Sequence, residues 1–127
     1  MQKIQINLDS PEKIIEKEYE LTIGESKAAN LITENFNGFL ECIFIDVDKP
    51  CDLVIGYEKY SDILIFKSKT GNLMGQKMFI PRIMATHNDD ECFNYSQERY
   101  SLNNKLRIEA FGQPNTNIKI SIRYIGG

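Results

Sequence analysis

Tryptophan is absent from this 127-residue sequence, and histidine occurs once, at His87. A cupin-type jelly-roll enzyme needs several imidazoles around one metal, so a single histidine excludes that chemistry. The missing tryptophan removes the strongest stacking platform for a sugar ring. Cysteine is scarce too: Cys42, Cys51 and Cys92 are odd in number and irregularly spaced. A disulfide-stapled secreted domain normally carries an even set, and a zinc site carries short paired spacings. The simplest reading is small buried hydrophobes in a reducing compartment, although Cys42 and Cys51 each sit in an apolar run and could face each other across a hairpin. No apolar stretch approaches the roughly 18–20 residues needed to cross a bilayer. The opening MQKIQINLDSPEK has neither the apolar core nor the cleavage site of a signal peptide, which leads us to expect synthesis in the cytoplasm. Positive charge is not in surplus: 15 Lys and Arg stand against 18 Asp and Glu, a net charge of −3. That balance argues against a protein that tracks nucleic-acid phosphates.

What remains is ordinary globular composition, 42% hydrophobic and 26% charged, which argues against disorder. The length suits one domain, expected over 1–127, with 1–12 as an N-terminal arm or edge strand. Period-two alternation dominates. Ile118, Ile120, Ile122 and Tyr124 interleave with Lys119, Ser121 and Arg123, as in a strand with one face in a core and one in water. Leu106, Ile108 and Ala110 alternate likewise with Lys105, Arg107 and Glu109. Gly112-Gln113-Pro114-Asn115 between the two runs has turn chemistry. The spacing predicts a hairpin joining 104–111 to 117–125, with Leu106, Ile108, Ile120 and Ile122 facing the core.

Residues 38–47 (GFLECIFIDV) are apolar on both faces, with Phe39, Ile43, Ile45 and Val47 on one side and Leu40, Cys42 and Phe44 on the other. This predicts a central strand covered on both sides, turned at Asp48-Lys49-Pro50 and continued by Leu53, Val54 and Ile55. Ile63 to Phe66 form a further short strand. Thr70-Gly71-Asn72 and Gly75 mark a loop, and 77–84 form a strand interrupted by Pro81, hence at an edge or bulged. Ser10-Pro11-Glu12 before IIEKEY resembles a helix start, but Glu16, Glu18 and Glu20 alternate with Lys17, Tyr19 and Leu21, which favours a strand. The sum predicts an all-β fold, an antiparallel β-sandwich or jelly roll.

Few residues offer chemistry. His87 and Cys92 lie five apart, a spacing that does not by itself make a nucleophile pair; a solvated loop histidine is expected. Asp89-Asp90-Glu91 and the set Asp46, Asp48 and Asp52 supply oxygens of the kind calcium takes, yet without EF-hand spacing and with Lys49 inside the second set. Solvated turns are expected there, and no tightly bound metal. Nothing in the sequence brings Glu25 together with Asp62 or Glu98 as a glycosidase pair. Tyr57, Tyr60, Phe93, Tyr95 and Tyr100 gather in two connecting regions, where rings with polar tips could bind a glycan or a protein groove; packing is the commoner use. No catalytic residue, cofactor or metal ligand is assigned.

Three segments resemble small β-rich structural proteins of tailed bacteriophages: GFLECIFIDVDKPCDLVI, FIPRIMATHNDD and ERYSLNNKLRIEAFGQPNTNIKISIRYI. The likeness lies in a strand ending in an acidic turn, a Pro-Arg before an acidic loop, and alternating closing strands before Arg-Tyr-Ile. It spans about residues 38–125, and the first 35 residues add nothing to it. The resemblance implies a non-enzymatic virion component, a capsid decoration or head–tail accessory protein, present in many copies and contacting other virion proteins rather than nucleic acid or membrane. The alternative is a host-surface or carbohydrate-binding β-module. The unguarded Ile4–Leu8 segment is expected either to pair with a neighbouring subunit or to pack across its own domain.

Overall fold

A computed structural model describes residues 13–60, 62–68, 71–86, 93–95 and 98–126, with 84–86 and 93–95 described by backbone alone. Among the described residues ten strands follow in order: β1 (Lys13–Thr22), β2 (Ala28–Ile32), β3 (Gly38–Tyr57), β4 (Leu64–Lys67), β5 (Leu73–Phe79), β6 (Met84–Thr86), β7 (Phe93–Tyr95), β8 (Ser101–Leu102), β9 (Leu106–Gly112) and β10 (Asn117–Gly126). Eight form one antiparallel sheet, and β6 pairs with β7 in a small second one. Alternation outweighs the helix-like start here, because β1 pairs along its whole length with β10, turning Ile15, Tyr19 and Leu21 inward and Glu16, Glu18 and Glu20 outward.

The sheet is organised around β3. One edge of β3 carries β10 along 38–47 and then β9 along 51–57; the opposite edge carries β8, β5 and β4. Beyond β10 and β9 lie β1 and β2. Apart from the short β8, this sheet is thus four antiparallel ribbons, β1–β2, β9–β10, β3 and β4–β5. Each breaks or bends at the same level, at residues 23–27, 113–116 and 48–50 and between β4 and β5.

The expected hairpin between β9 and β10 is therefore absent. Both strands exist and both bury their alternating residues, Leu106, Ile108 and Ala110 with Ile118, Ile120, Ile122 and Tyr124. They do not pair with each other; they follow one another along the same edge of β3, antiparallel to it throughout. Alternation specifies which face a strand buries, not its partner. The turn at 113–116 also makes a kink in a continuous ribbon, with Asn115 at φ +69°.

The sheet must fold over at this crease. Leu102 lies opposite Gly38 and Leu106 opposite Tyr57, the two ends of β3. A straight β3 would separate those ends by about 60 Å at 3.3 Å per residue. The four steps from Leu102 to Leu106 reach at most about 15 Å. The two halves of β3 consequently double back, and their inner faces meet. Leu40, Ile43, Ile45 and Val47 pack against Leu53, Ile55 and Ile108, and against Ile118, Ile120 and Ile122 of β10, in one core. Burying each such side chain contributes about 1.5–3 kcal/mol. The margins of the fold close through Phe66 and Phe79, ring centres 4.6 Å apart, and through Lys17 and Tyr19 with Glu34. The result is a curled antiparallel sheet, a half-barrel whose two layers are halves of one sheet.

Local chemistry shapes the crease. Asp48-Lys49-Pro50 bends β3 without ending it: the ladder with β5 shifts between Val47 and Cys51, where proline's missing donor is tolerated. The Asp48 carboxylate accepts from the Asn117 backbone N–H at 2.9 Å and its side-chain amide at 3.0 Å, tying β3 to β10. On the other side the Leu53 N–H donates to the Ser68 hydroxyl at 2.9 Å, and the Gly71 N–H donates to Asp52. Gly71 sits at φ +65°, a conformation that suits glycine. The expected loop at Gly75 is instead part of β5, with φ +83° at the same irregularity, and β5 ends before Pro81.

A second irregularity resets the pleat. Arg123 pairs with Cys42 and Tyr124 with Leu40, so Glu41 is a bulge. Leu40 and Ile43 both point inward as a result, and Phe39 falls on the outer face, 53% exposed, rather than with Ile43 as plain alternation required. The strand is central in pairing, but its outer face is only partly covered: Phe44 is half-buried.

Candidate interaction surface

The outer face of the first half of the sheet is ordered in cross-strand rows set by register. One row runs Ile14, Ile125, Phe39; the next Glu16, Arg123, Cys42; the next Glu18, Ser121, Phe44, Met78; and the last Glu20, Lys119, Asp46, Gln76. Arg123 spans two rows, holding Glu16 at 3.0 Å while its guanidinium carbon lies 4.9 Å from the centre of the Phe44 ring. Those hydrogen bonds hold the Glu16 carboxyl below the usual carboxylate range. A shallow open depression of about 890 Å³ crosses all four strands here, lined by Glu18, Phe44, Asp46, Met78, Lys119 and Ser121 among others. It combines an apolar floor with charged margins.

The two lateral edges of the sheet differ. Among the described residues, β1 and β2 pair only inward, with β10 and β9, and β4 and β5 pair only with β3. Glu16, Glu18 and Glu20 line the β1 edge, all exposed. The β5 edge exposes Met74, Met78 and Ile80 at 49%, 52% and 54%, together with Lys77. From Ile63 to Thr86 the sequence has Lys67, Lys69, Lys77 and Arg82 and no acidic residue. Just beyond Pro81 the chain is clamped back onto the β3 bulge, because Arg82 donates to the Glu41 carbonyl at 3.2 Å and Arg99 pairs with the Glu41 carboxylate at 2.8 Å.

The residues singled out in the sequence are dispersed. Asp48 and Asp52 are turn fasteners at the crease, and Asp46 is exposed on the outer face. Hydrogen bonds from Asn117 lower the Asp48 pKa. Among the described residues no three His, Cys, Asp or Glu side chains come together as a cation site. Glu25 lies in the crease turn, Asp62 in the β3–β4 connection and Glu98 ahead of β8, three separate connections.

The tyrosine group divides in the same way. The Tyr57 hydroxyl donates to the Ser101 carbonyl at 2.7 Å and its ring packs on the core, as does Tyr100, whereas Tyr60 is exposed under Lys59. His87, Asp89, Asp90, Glu91 and Cys92 lie outside the described residues, as do the side chains of Phe93 and Tyr95 and the segment 1–12. Cys42 and Cys51 are free, buried thiols on the same strand on either side of the crease, so they do not face each other across a hairpin. Burial pushes the Cys51 thiol up to about 11 and raises Cys42 as well.

Of the two margins the sequence marked one, through the 77–84 strand expected at an edge or bulged because of Pro81, which overlaps β5; the β1 edge was not singled out.

No protein-family model and no curated protein sequence matches the chain. Its fold is similar to that of a chain in the capsid asymmetric unit of cyanophage Pam1, with a TM-score of 0.51 and 10% sequence identity. The alignment covers 91% of this chain and 84% of that one. At that identity the likeness is one of fold.

Proposed function

We propose that this protein is a non-enzymatic structural component of a phage particle, a capsid decoration or head–tail accessory protein acting through protein–protein contacts in a multi-copy assembly. The observation that carries the reading is the fold likeness to a cyanophage capsid chain over nine-tenths of this sequence. Two sheet edges that are unpaired among the described residues and an outer face bearing exposed Phe39, Met78 and Ile80 support it, because these are elements that another protein can cover. Modest contacts of this kind become effective when repeated by symmetry. The protein is made in the host cytoplasm and resides in the virion. Peptide mass spectrometry of gradient-purified particles tests the reading. The chain should be found at a fixed stoichiometry to the major capsid protein, and its absence from intact particles would overturn the proposal.

A further inference from the structure

We propose that Asn37 is a site of spontaneous deamidation that the fold leaves open, converting to aspartate and isoaspartate in the connection between the two layers of the sheet. This goes beyond the particle reading and does not depend on it.

The reaction needs a side-chain amide next to a backbone nitrogen with little steric cover. Asn37-Gly38 is the one Asn-Gly step in the sequence; every other asparagine precedes a residue whose own side chain crowds the attack. The fold keeps that step in place. A Cβ at position 38 would overlap the Ile125 carbonyl oxygen, so glycine is what lets β3 lie this close to β10.

Asn37 is exposed, in the connection 33–37 from β2 to β3. Its neighbours are held: Thr33 and Phe36 are buried, and Glu34 takes Lys17 and Tyr19. Among the described residues no hydrogen bond fixes the Asn37 side-chain amide. Gly38 is the end pair of both its ladders, opposite Gly126 on β10 and Leu102 on β8. End pairs fray at little cost, which frees the Gly38 nitrogen to react.

That nitrogen, having given its proton to solvent, attacks the Asn37 Cγ. An N–Cγ bond forms, the Cγ–Nδ2 bond breaks, and ammonia leaves with a proton taken from water. Water then adds to either carbonyl of the resulting succinimide and opens the ring, to aspartate or to isoaspartate. The net change is amide plus water to carboxylic acid plus ammonia. Either product places a new negative charge two residues from exposed Phe39, beside the outer row of Ile14, Ile125 and Phe39. Isoaspartate also routes the chain through its Cβ. It thereby adds a backbone carbon to the short bridge between Ile32, in the layer of β9, and Gly38, in the layer of β10.

The test is peptide mapping by mass spectrometry of the full chain aged in mildly alkaline buffer, both folded and in denaturant. Asn37 should convert in the folded chain within about tenfold of its rate in denaturant, because an end pair opens at little cost. It should do so ahead of the other asparagines, and an isoaspartate-specific methyltransferase should label the peptide that contains it. Asn37→Gln should remove the acidic fraction that ion exchange resolves from the aged wild type. An Asn37 that keeps its amide in the folded chain, or loses it far more slowly than in denaturant, overturns the inference, since the fold then protects the site. Earlier conversion at another asparagine, or an acidic fraction that Asn37→Gln leaves unchanged, overturns it as well.

Discussion

Strands β3 and β5 are adjacent and share apolar residues, yet the same chemistry has opposite consequences in them. β3 is paired on both edges, so its Leu40, Ile43, Ile45 and Val47 disappear into the fold. Among the described residues β5 is paired on one edge only, and its Met74 and Met78 remain half in water. Apolar residues on the inner face of this sheet serve folding, whereas those on its outer face, Phe39 of β3 as well as Met78 of β5, stay exposed.

Removing a side chain from each region should show that difference most clearly. Ile120→Ala on β10 empties a site that is 1% exposed and should destabilise by about 2–5 kcal/mol in denaturant titrations. A loss under 1 kcal/mol would mean that the folded-over core is not packed as described. A smaller effect is expected at the return from β2 to β3. There the buried Thr33 hydroxyl accepts from the Leu106 N–H at 2.9 Å and donates to the Glu34 carbonyl at 2.8 Å. Thr33→Val leaves that N–H without its partner and should cost about 1–3 kcal/mol in the same assay.

The crease gives a pH-dependent contrast. Asn117's two hydrogen bonds lower the Asp48 pKa in the folded chain. A carboxylate with a depressed folded pKa adds stability above its unfolded pKa, and that stability is lost as pH falls through the folded value. Asp48→Asn should therefore melt below the wild type at neutral pH, with the two converging on acidification; a gap that persists at low pH would mean that the charge is not what ties β3 to β10. The smallest effect belongs to the margin. Met78→Ser should leave stability within about 0.5 kcal/mol, since the side chain is exposed. A large stability loss there would mean β5 is an interior strand.

The inner face was legible in the sequence because burial in a sheet has period two, and Leu106, Ile108, Ile118, Ile120 and Ile122 obey it. Pairing was not legible. Whether β9 folds back on β10 or runs on past a kink depends on what lies opposite Gln113–Thr116, and that is the bend in β3, distant in sequence. The bulge at Glu41 was hidden for a related reason: it moves Phe39 to the outer face through an irregularity opposite Arg123 and Tyr124 that no local pattern encodes. Of the candidate site residues, the sequence marked Asp48 and Asp52 as turn residues, and both prove to be fasteners within the fold. Tyr57 and Tyr100 were ambiguous because a ring with a polar tip suits a core margin as well as a binding surface. Pro81 marked the margin that β5 forms, whereas the β1 margin depends on sheet order and was not legible in the sequence.

Hydrogen exchange of the chain alone and in its assembled form bears most directly on the claim that β3 serves the fold while the margins serve assembly. Amides of Lys13–Thr22 and Leu73–Phe79 should gain protection on assembly, while those of Ile43, Ile45, Leu53 and Ile55 in β3, already paired on both sides, should exchange at unchanged rates. Unchanged exchange in both margin strands, or new protection confined to other parts of the chain, would contradict the account.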